Sequence, residues 1–280
     1  MKRYLVVLII ISFFFMGAKN DRVEGPVFRV ADGKVISFEQ MIGEIKGVTI
    51  VFVGELHDNA EHHRLQLDVI KALHATGAPL AVGLEMFRAE SQKDLDRWVS
   101  GASTLDQFLP VYYDNWRVVW PLYRDIFLSA RESKIPLAGL NVPQEVTRKV
   151  ASKGFAALGP KDLKDLPPDI FCNVDPRYME FIKRAYSGHD IDEQTFVHFC
   201  EAQMVWDKSM AWHLVRYLRK NPSQHMIVLA GAGHAWKRGI PGQVEQLSPT
   251  LTYKVILPHI PGDIDKKHIS INDADYVILN

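Results

Sequence analysis

The sequence predicts an α/β protein: a mostly parallel sheet flanked by helices, with a helical insertion between its third and fourth main strands. Three observations carry that prediction. Four β-rich apolar runs alternate with stretches of helical periodicity, as in parallel strands joined by crossover helices. Those runs are apolar throughout rather than at every second residue, so both faces of the sheet must be covered. The 280 residues are 47% hydrophobic and 24% charged, with 33 Lys and Arg against 33 Asp and Glu, which suits a sizeable core. The balanced charge lacks the basic surplus of a nucleic-acid binder, and no nucleic-acid partner is expected.

In chain order, Lys2-Arg3 precedes an apolar run from Tyr4 to Met16 and the small pair Gly17-Ala18. This reads as an export signal over residues 1–18, with residues 19–280 forming one domain. No cysteine follows the run, so a lipid anchor is not expected there, and the protein is placed in the periplasm or at a membrane. Val27 to Ile36, around Asp32-Gly33, reads as a hairpin. The first main strand is Val48 to Val53, followed by a helix over Glu61 to His74; the second strand is Leu80 to Leu84. A helix over Arg117 to Ser133 leads to the third strand, Ile135 to Leu140. The insertion covers about residues 143–222: a break at Pro167-Pro168, a helix from Pro176 to Tyr186 and a long one from Asp192 to Lys220. The fourth strand is Met226 to Ala230, and Leu251 to Leu257 and Asp275 to Leu279 read as two more.

Ligands of parallel sheets bind beyond the carboxyl ends of the strands. Here those ends read Gly54-Glu55-Leu56-His57-Asp58-Asn59, Glu85-Met86, Asn141-Val142-Pro143 and Gly231-Ala232-Gly233-His234. Glu55, His57, Glu85 and His234 therefore converge from three strands on one edge, as acid–base catalysts or as ligands of a divalent metal. Asp58 or Asn59 reads as the cap of the next helix, and Arg88 as an ion partner for Glu85. His62 and His63 stand in the first turns of that helix. The aromatic stripe of Phe196, Phe199 and Trp206, and the cluster of Tyr112, Tyr113, Trp116 and Trp120, read either as core or as a wall for a flat apolar ligand. Phosphate-loop, dinucleotide and nucleophile-elbow motifs are missing. Cys172 and Cys200 lack the setting of a catalytic thiol, though one bridge between them is open.

The run Gly54-Glu55-Leu56-His57-Asp58-Asn59 with His62-His63 and Gln66, then Gly83-Leu84-Glu85-Met86-Phe87, resembles the ChaN family of haem-binding, iron-uptake proteins. Gly154-Phe155-Ala156-Ala157-Leu158, Glu201-Ala202-Gln203 with Trp206-Asp207, Gly231-Ala232-Gly233-His234 and Ala274-Asp275-Tyr276-Val277 extend the likeness over most of the chain. The resemblance implies an exported haem binder, a homodimer, and an outer-membrane haem receptor as partner. It also implies kinship with Tiki and erythromycin-esterase proteins, in which Glu and His at these strand ends serve hydrolysis. Where many members of the family carry a tyrosine after the Gly-His turn, this chain reads Ala235-Trp236-Lys237-Arg238-Gly239. The iron base then falls to His234, His62, His63, Tyr112 or Tyr113, with Trp236 stacking on the porphyrin and Lys237 and Arg238 facing its propionates.

Overall fold

A computed structural model describes residues 25–164, 166–168, 170–174, 176–185 and 192–279. The export signal expected over residues 1–18 lies outside them. The strands are β1 (Val27–Arg29), β2 (Lys34–Ile36), β3 (Ile50–Glu55), β4 (Leu80–Arg88), β5 (Leu137–Asn141), β6 (His225–Gly231), β7 (Tyr253–Pro258) and β8 (Tyr276–Ile278). The helices are α1 (Phe38–Ile45), α2 (Ala60–His74), α3 (Gln92–Ser100), α4 (Leu105–Asn115), α5 (Trp120–Glu132), α6 (Gln144–Lys153), α7 (Pro160–Leu163), α8 (Pro176–Ala185), α9 (Glu193–Lys220), α10 (Ala232–Ala235) and α11 (Ile240–Leu247). The sheet has eight strands in the order β2-β1-β8-β7-β3-β6-β4-β5. Every pairing is parallel except β1 with β2 and β1 with β8, so the α/β reading stands.

Strand period decides which face each side chain joins. Val51 and Val53 of β3 pack beneath α1, α2 and α5, while Ile50 and Phe52 pack beneath α9 and α11. Ile227 and Leu229 of β6 join the first core, and Met226, Val228 and Ala230 the second. The same alternation carries Glu55 onto the α2 and α5 face. Gly54, its neighbour, points to the other face, where an added Cβ would lie 2.7 Å from Leu257 Cδ2 and 3.2 Å from the Ala232 backbone. The missing side chain lets α10 sit directly on β3, and this fixes where His234 stands.

The outer strand β5 is finished by a side chain instead of a strand. Gln92 of α3 donates from Nε2 to the Leu137 carbonyl at 2.7 Å and accepts at Oε1 from the Gly139 amide at 3.2 Å. Between β5 and β6 lie α6 to α9. The longest of them, α9, packs along α6, α11 and β5.

Seven helices escaped the sequence reading: α1, α3, α4, α6, α7, α10 and α11. Two had a legible start, because Ser37 with Gln40 and Thr104 with Gln107 form reciprocal capping boxes. Tyr112 and Tyr113 lie inside α4. Cys172 and Cys200 are free thiols, with burial pushing the first up to about 12 and the second to about 11.

Candidate functional site

The end of β3 delivers Glu55, which is 1% exposed. A buried carboxylate needs partners, and three converge on it. Tyr123 of α5 donates its hydroxyl to Oε1, His57 Nδ1 lies 2.7 Å from the same oxygen, and His63 Nε2 stands 3.2 Å from Oε2. Burial works against the Glu55 charge, but His57 and His63 outweigh it and hold the carboxyl at about 2. Burial and Glu55 together push the Tyr123 phenol well above its ordinary range.

A matching arrangement comes from the α9 face. His234 Nδ1 lies 2.7 Å from Asp207 Oδ1, and Tyr178 of α8 donates its hydroxyl to Asp207 Oδ2 at 2.7 Å. Burial opposes charge on His234, yet Glu85 and Asp207 prevail and lift it to about 9. His57 is raised too: burial lowers it, while Glu55 and Glu85 raise it more.

Glu85 stands between the two rings. Its Oε1 is 4.0 Å from His57 Nε2 and 3.9 Å from His234 Nε2, and its Oε2 accepts from the Gly231 amide at 2.7 Å. A Cβ on Gly231 would lie 2.9 Å from His57 Cε1, so only glycine leaves this ring its place. Glu55 at the end of β3, His57 in the loop beyond it, Glu85 inside β4 and His234 in α10 thus form one continuous chain of contacts. Among the described residues no group of three or more His, Cys, Asp and Glu side chains has the geometry to hold a metal ion, and the divalent-metal expectation finds no support.

The chain of contacts floors a cavity of about 640 Å³, a volume within the range of small-molecule sites. His57, Glu85 and His234 line it with apolar Met86, Trp116, Val118, Val142 and Trp206, and with Arg88, Arg117 and Arg148 on the rim. The His57 side chain is 40% exposed and its ring packs edge-on against Trp116 at 4.9 Å. Tyr113 also lines the cavity and is 47% exposed, its hydroxyl accepting from the Trp120 amide at 3.2 Å.

The other haem-binding candidates stand elsewhere. His62 is buried, and its Nδ1 accepts from the Leu56 amide at 2.9 Å, locking the turn after β3; burial, then His63, lowers its pKa. His63 packs against Tyr123 at 4.1 Å behind Glu55. Tyr112 is 0% exposed and donates to the Val118 carbonyl. Trp236, expected to stack on a porphyrin, is 1% exposed in the core beneath α9 and α11, which leaves no face for a macrocycle. Lys237 is taken by Asp275 and the Ile271 carbonyl. Arg88 pairs with Asp114 and Glu90 rather than with Glu85. Asn59 is the helix cap, accepting from the Glu61 and His62 amides. Arg117 and Arg148 of the rim, and the supporting tyrosines Tyr123 and Tyr178, were not singled out in the sequence. Nothing in their local pattern separates them from ordinary helix residues.

A family model for haem-binding uptake proteins of the Tiki superfamily, ChaN, matches residues 41–244. A solved ChaN of Campylobacter jejuni with cofacially bound haem is 21% identical, with a TM-score of 0.71 over 91% of this chain and 96% of that one. A mutant of the erythromycin esterase EreC in its open conformation is 14% identical, with a TM-score of 0.50 over 86% of this chain and 78% of that one. These two likenesses concern the fold. No curated protein matches the chain.

Proposed function

The chain belongs to the haem-binding uptake proteins of the Tiki superfamily, ChaN, and on that premise we propose that it is an exported haem carrier whose pocket is the cavity at the strand ends. The observation that carries this reading is the state of His57. Its Nδ1 is engaged by Glu55 while its ring opens into the cavity, so Nε2 is the nitrogen left for a ligand. A carboxylate behind an imidazole fixes its orientation and raises its basicity, as it does for histidines that hold metals. Trp116, Trp206 and Val142 offer apolar surface for a flat macrocycle, and Arg117 and Arg148 offer cations for its carboxylates. Haem supplies the iron to be carried. The protein orients it, shields one face and neutralises its acids. Tyr113, half-exposed on the same wall, is the second candidate for the iron.

Carriage of this kind fits release from the cytoplasm, loading from an outer-membrane haem receptor and pairing of two copies over an open cavity. A haemin titration followed by the Soret band tests the reading. A saturable, red-shifted band that His57→Ala abolishes is the expected result. No saturable band in the unaltered protein would overturn it.

One observation favours a second reading, hydrolysis. Glu85 lies within 4.0 Å of two carboxylate-backed imidazoles, and His234 is held protonated up to about 9. Glu85 would take a proton from water as it adds to an acyl carbon, and His234 would return one to the departing alkoxide. Ester hydrolysis lost in Glu85→Gln, with haemin binding retained, is the outcome that would install this activity.

A further inference from the structure

A second cavity, of about 380 Å³, lies on the other side of α9 from the first. Gln203 and Trp206 of that helix line the first cavity, whereas Met204 and Lys208 line this one, with residues of α11 as a further wall. None of Glu55, His57, Glu85 and His234 lines it. Tyr178 stands in its wall and donates to Asp207, so an occupant would sit behind the pair of Asp207 and His234.

Several polar groups of this cavity lack partners in the fold. Gln243 is 6% exposed, and its side-chain amide hydrogen-bonds to no described residue. A buried amide left unpaired is costly, and this one lines the cavity, where a ligand can reach it. Arg238, in the turn before α11, makes no ion pair or hydrogen bond with a described residue. Expected to face haem propionates, it lines this cavity and not the first. Lys208 donates to the Phe171 carbonyl at 2.8 Å and stands 3.7 Å over the Phe171 ring, yet no carboxylate of a described residue meets it. Burial pushes its ammonium below the ordinary lysine range, as for a cation that has lost water and gained no acid. Lys237 is neutralised by Asp275, and the one acid of the lining, Glu245, accepts from the Tyr253 hydroxyl at 3.2 Å. Two unpaired cations thus face the cavity against a single carboxylate. Asn173 and Gln246 bring further amides to the lining, and amides, which both donate and accept, match hydroxyl groups.

We propose that this cavity is the site of a small hydroxylated anion, a carboxylate or phosphate on a polyol body, in which Arg238 and Lys208 take the anionic group and Gln243, with Asn173 and Gln246, takes the hydroxyls. The volume is at the small end of the range of ligand sites, and the lining suits a hydrophilic molecule. The site is independent of the reading of the chain as a haem carrier.

The test is titration calorimetry of the unaltered protein with gluconate and with glycerol phosphate, and with glucose as the uncharged control, repeated on Arg238→Glu and Gln243→Met. Saturable binding of gluconate, of glycerol phosphate or of both is expected, and none of glucose. Which of the two binds tells whether the anionic group is a carboxylate or a phosphate. Arg238→Glu, a change at an exposed position, weakens binding about tenfold or more, the scale of one lost charge-assisted hydrogen bond. Gln243→Met keeps the length of the side chain, removes the amide and weakens binding by a similar factor. Its melting temperature holds or rises, because the amide it removes has no partner among the described residues. Should Gln243→Met fail to fold, Arg238→Glu decides. No saturable binding of either anion overturns the proposal, and the amide of Gln243 then meets water alone. Anion binding that both substitutions leave unchanged places the ligand elsewhere and overturns it too. Glucose bound as tightly as the anions overturns the role given to Arg238 and Lys208, and with it the proposal.

Discussion

On the α2 and α5 face of the sheet, Tyr123, Glu55 and His57 form a relay that ends in a ring 40% exposed; on the α9 face, Tyr178, Asp207 and His234 form a similar relay that ends in a ring 13% exposed. Both relays use a tyrosine hydroxyl and an imidazole on one buried carboxylate, and both rings look toward Glu85. The difference lies in what covers the last member. His57 stands on the loop beyond β3 and opens into the cavity, whereas His234, within α10, reaches the same cavity with far less of its ring and packs edge-on against Trp206 at 5.7 Å. The same chemistry is thus divided between two tasks: an open imidazole that meets a ligand, and a closed one that balances buried carboxylates.

The comparison can be broken or sharpened by experiment. The largest effect is expected from Asp207→Ala. It leaves His234 and Tyr178 without their acceptor, and removal of one partner from a buried pair costs about 3–5 kcal/mol, read from the denaturant midpoint. A loss below about 1 kcal/mol would mean that the closed relay is not structural.

Next comes pH. The folded pKa of His234 is raised from 6.5 to about 9, so its stabilising contribution is fully present below 6.5 and is lost as pH rises through 9. Urea midpoints should fall across that window, and Asp207→Asn should flatten the slope.

Glu55→Gln acts on the open relay and is expected to lower haemin affinity by about 10–100-fold, the usual toll of losing the carboxylate behind a ligating histidine. Asp207→Asn should leave that affinity within a few-fold, and equal losses in the two variants would erase the division of tasks. The smallest effects belong to Tyr123→Phe and Tyr178→Phe, each expected to cost about 1–2 kcal/mol of stability as a hydrogen bond to a charged acceptor is lost. Only the first should also shift haemin binding.

Much of this was legible in the sequence, for a physical reason. A strand buried on both faces is a continuous apolar run, so the first ionisable residue after it marks the strand end; Glu55, the last residue of β3, announced itself in this way, whereas β4, expected to stop at Leu84, runs past Glu85 to Arg88. His57 and His234 followed from the same edge. Asp207 stands 27 residues before His234 and Tyr178 29 before Asp207, on helices of the insertion, and their importance comes from contact alone. Exposure was equally hidden. Trp236 sits in a polar-looking loop, next to Lys237 and Arg238, yet is 1% exposed, because Gly239 brings the backbone back so closely that a Cβ there would lie 2.4 Å from the His234 carbonyl. His62 and His63 share a helical turn with the site and still face away from the cavity, one holding a turn and the other backing Glu55.

The side-chain finish on β5 has a consequence for how copies of this protein behave in company. An outer strand with unpaired amides and carbonyls is a template on which another chain can add, and ladders of that kind grow into fibrils. Gln92 fills the Leu137 carbonyl and the Gly139 amide, two groups from which such growth would start. Replacing it with alanine should change the melting temperature little and shorten the lag before turbidity in an agitated, concentrated sample. One amide side chain then serves as a guard against self-assembly at the end of the sheet where length alone would invite it.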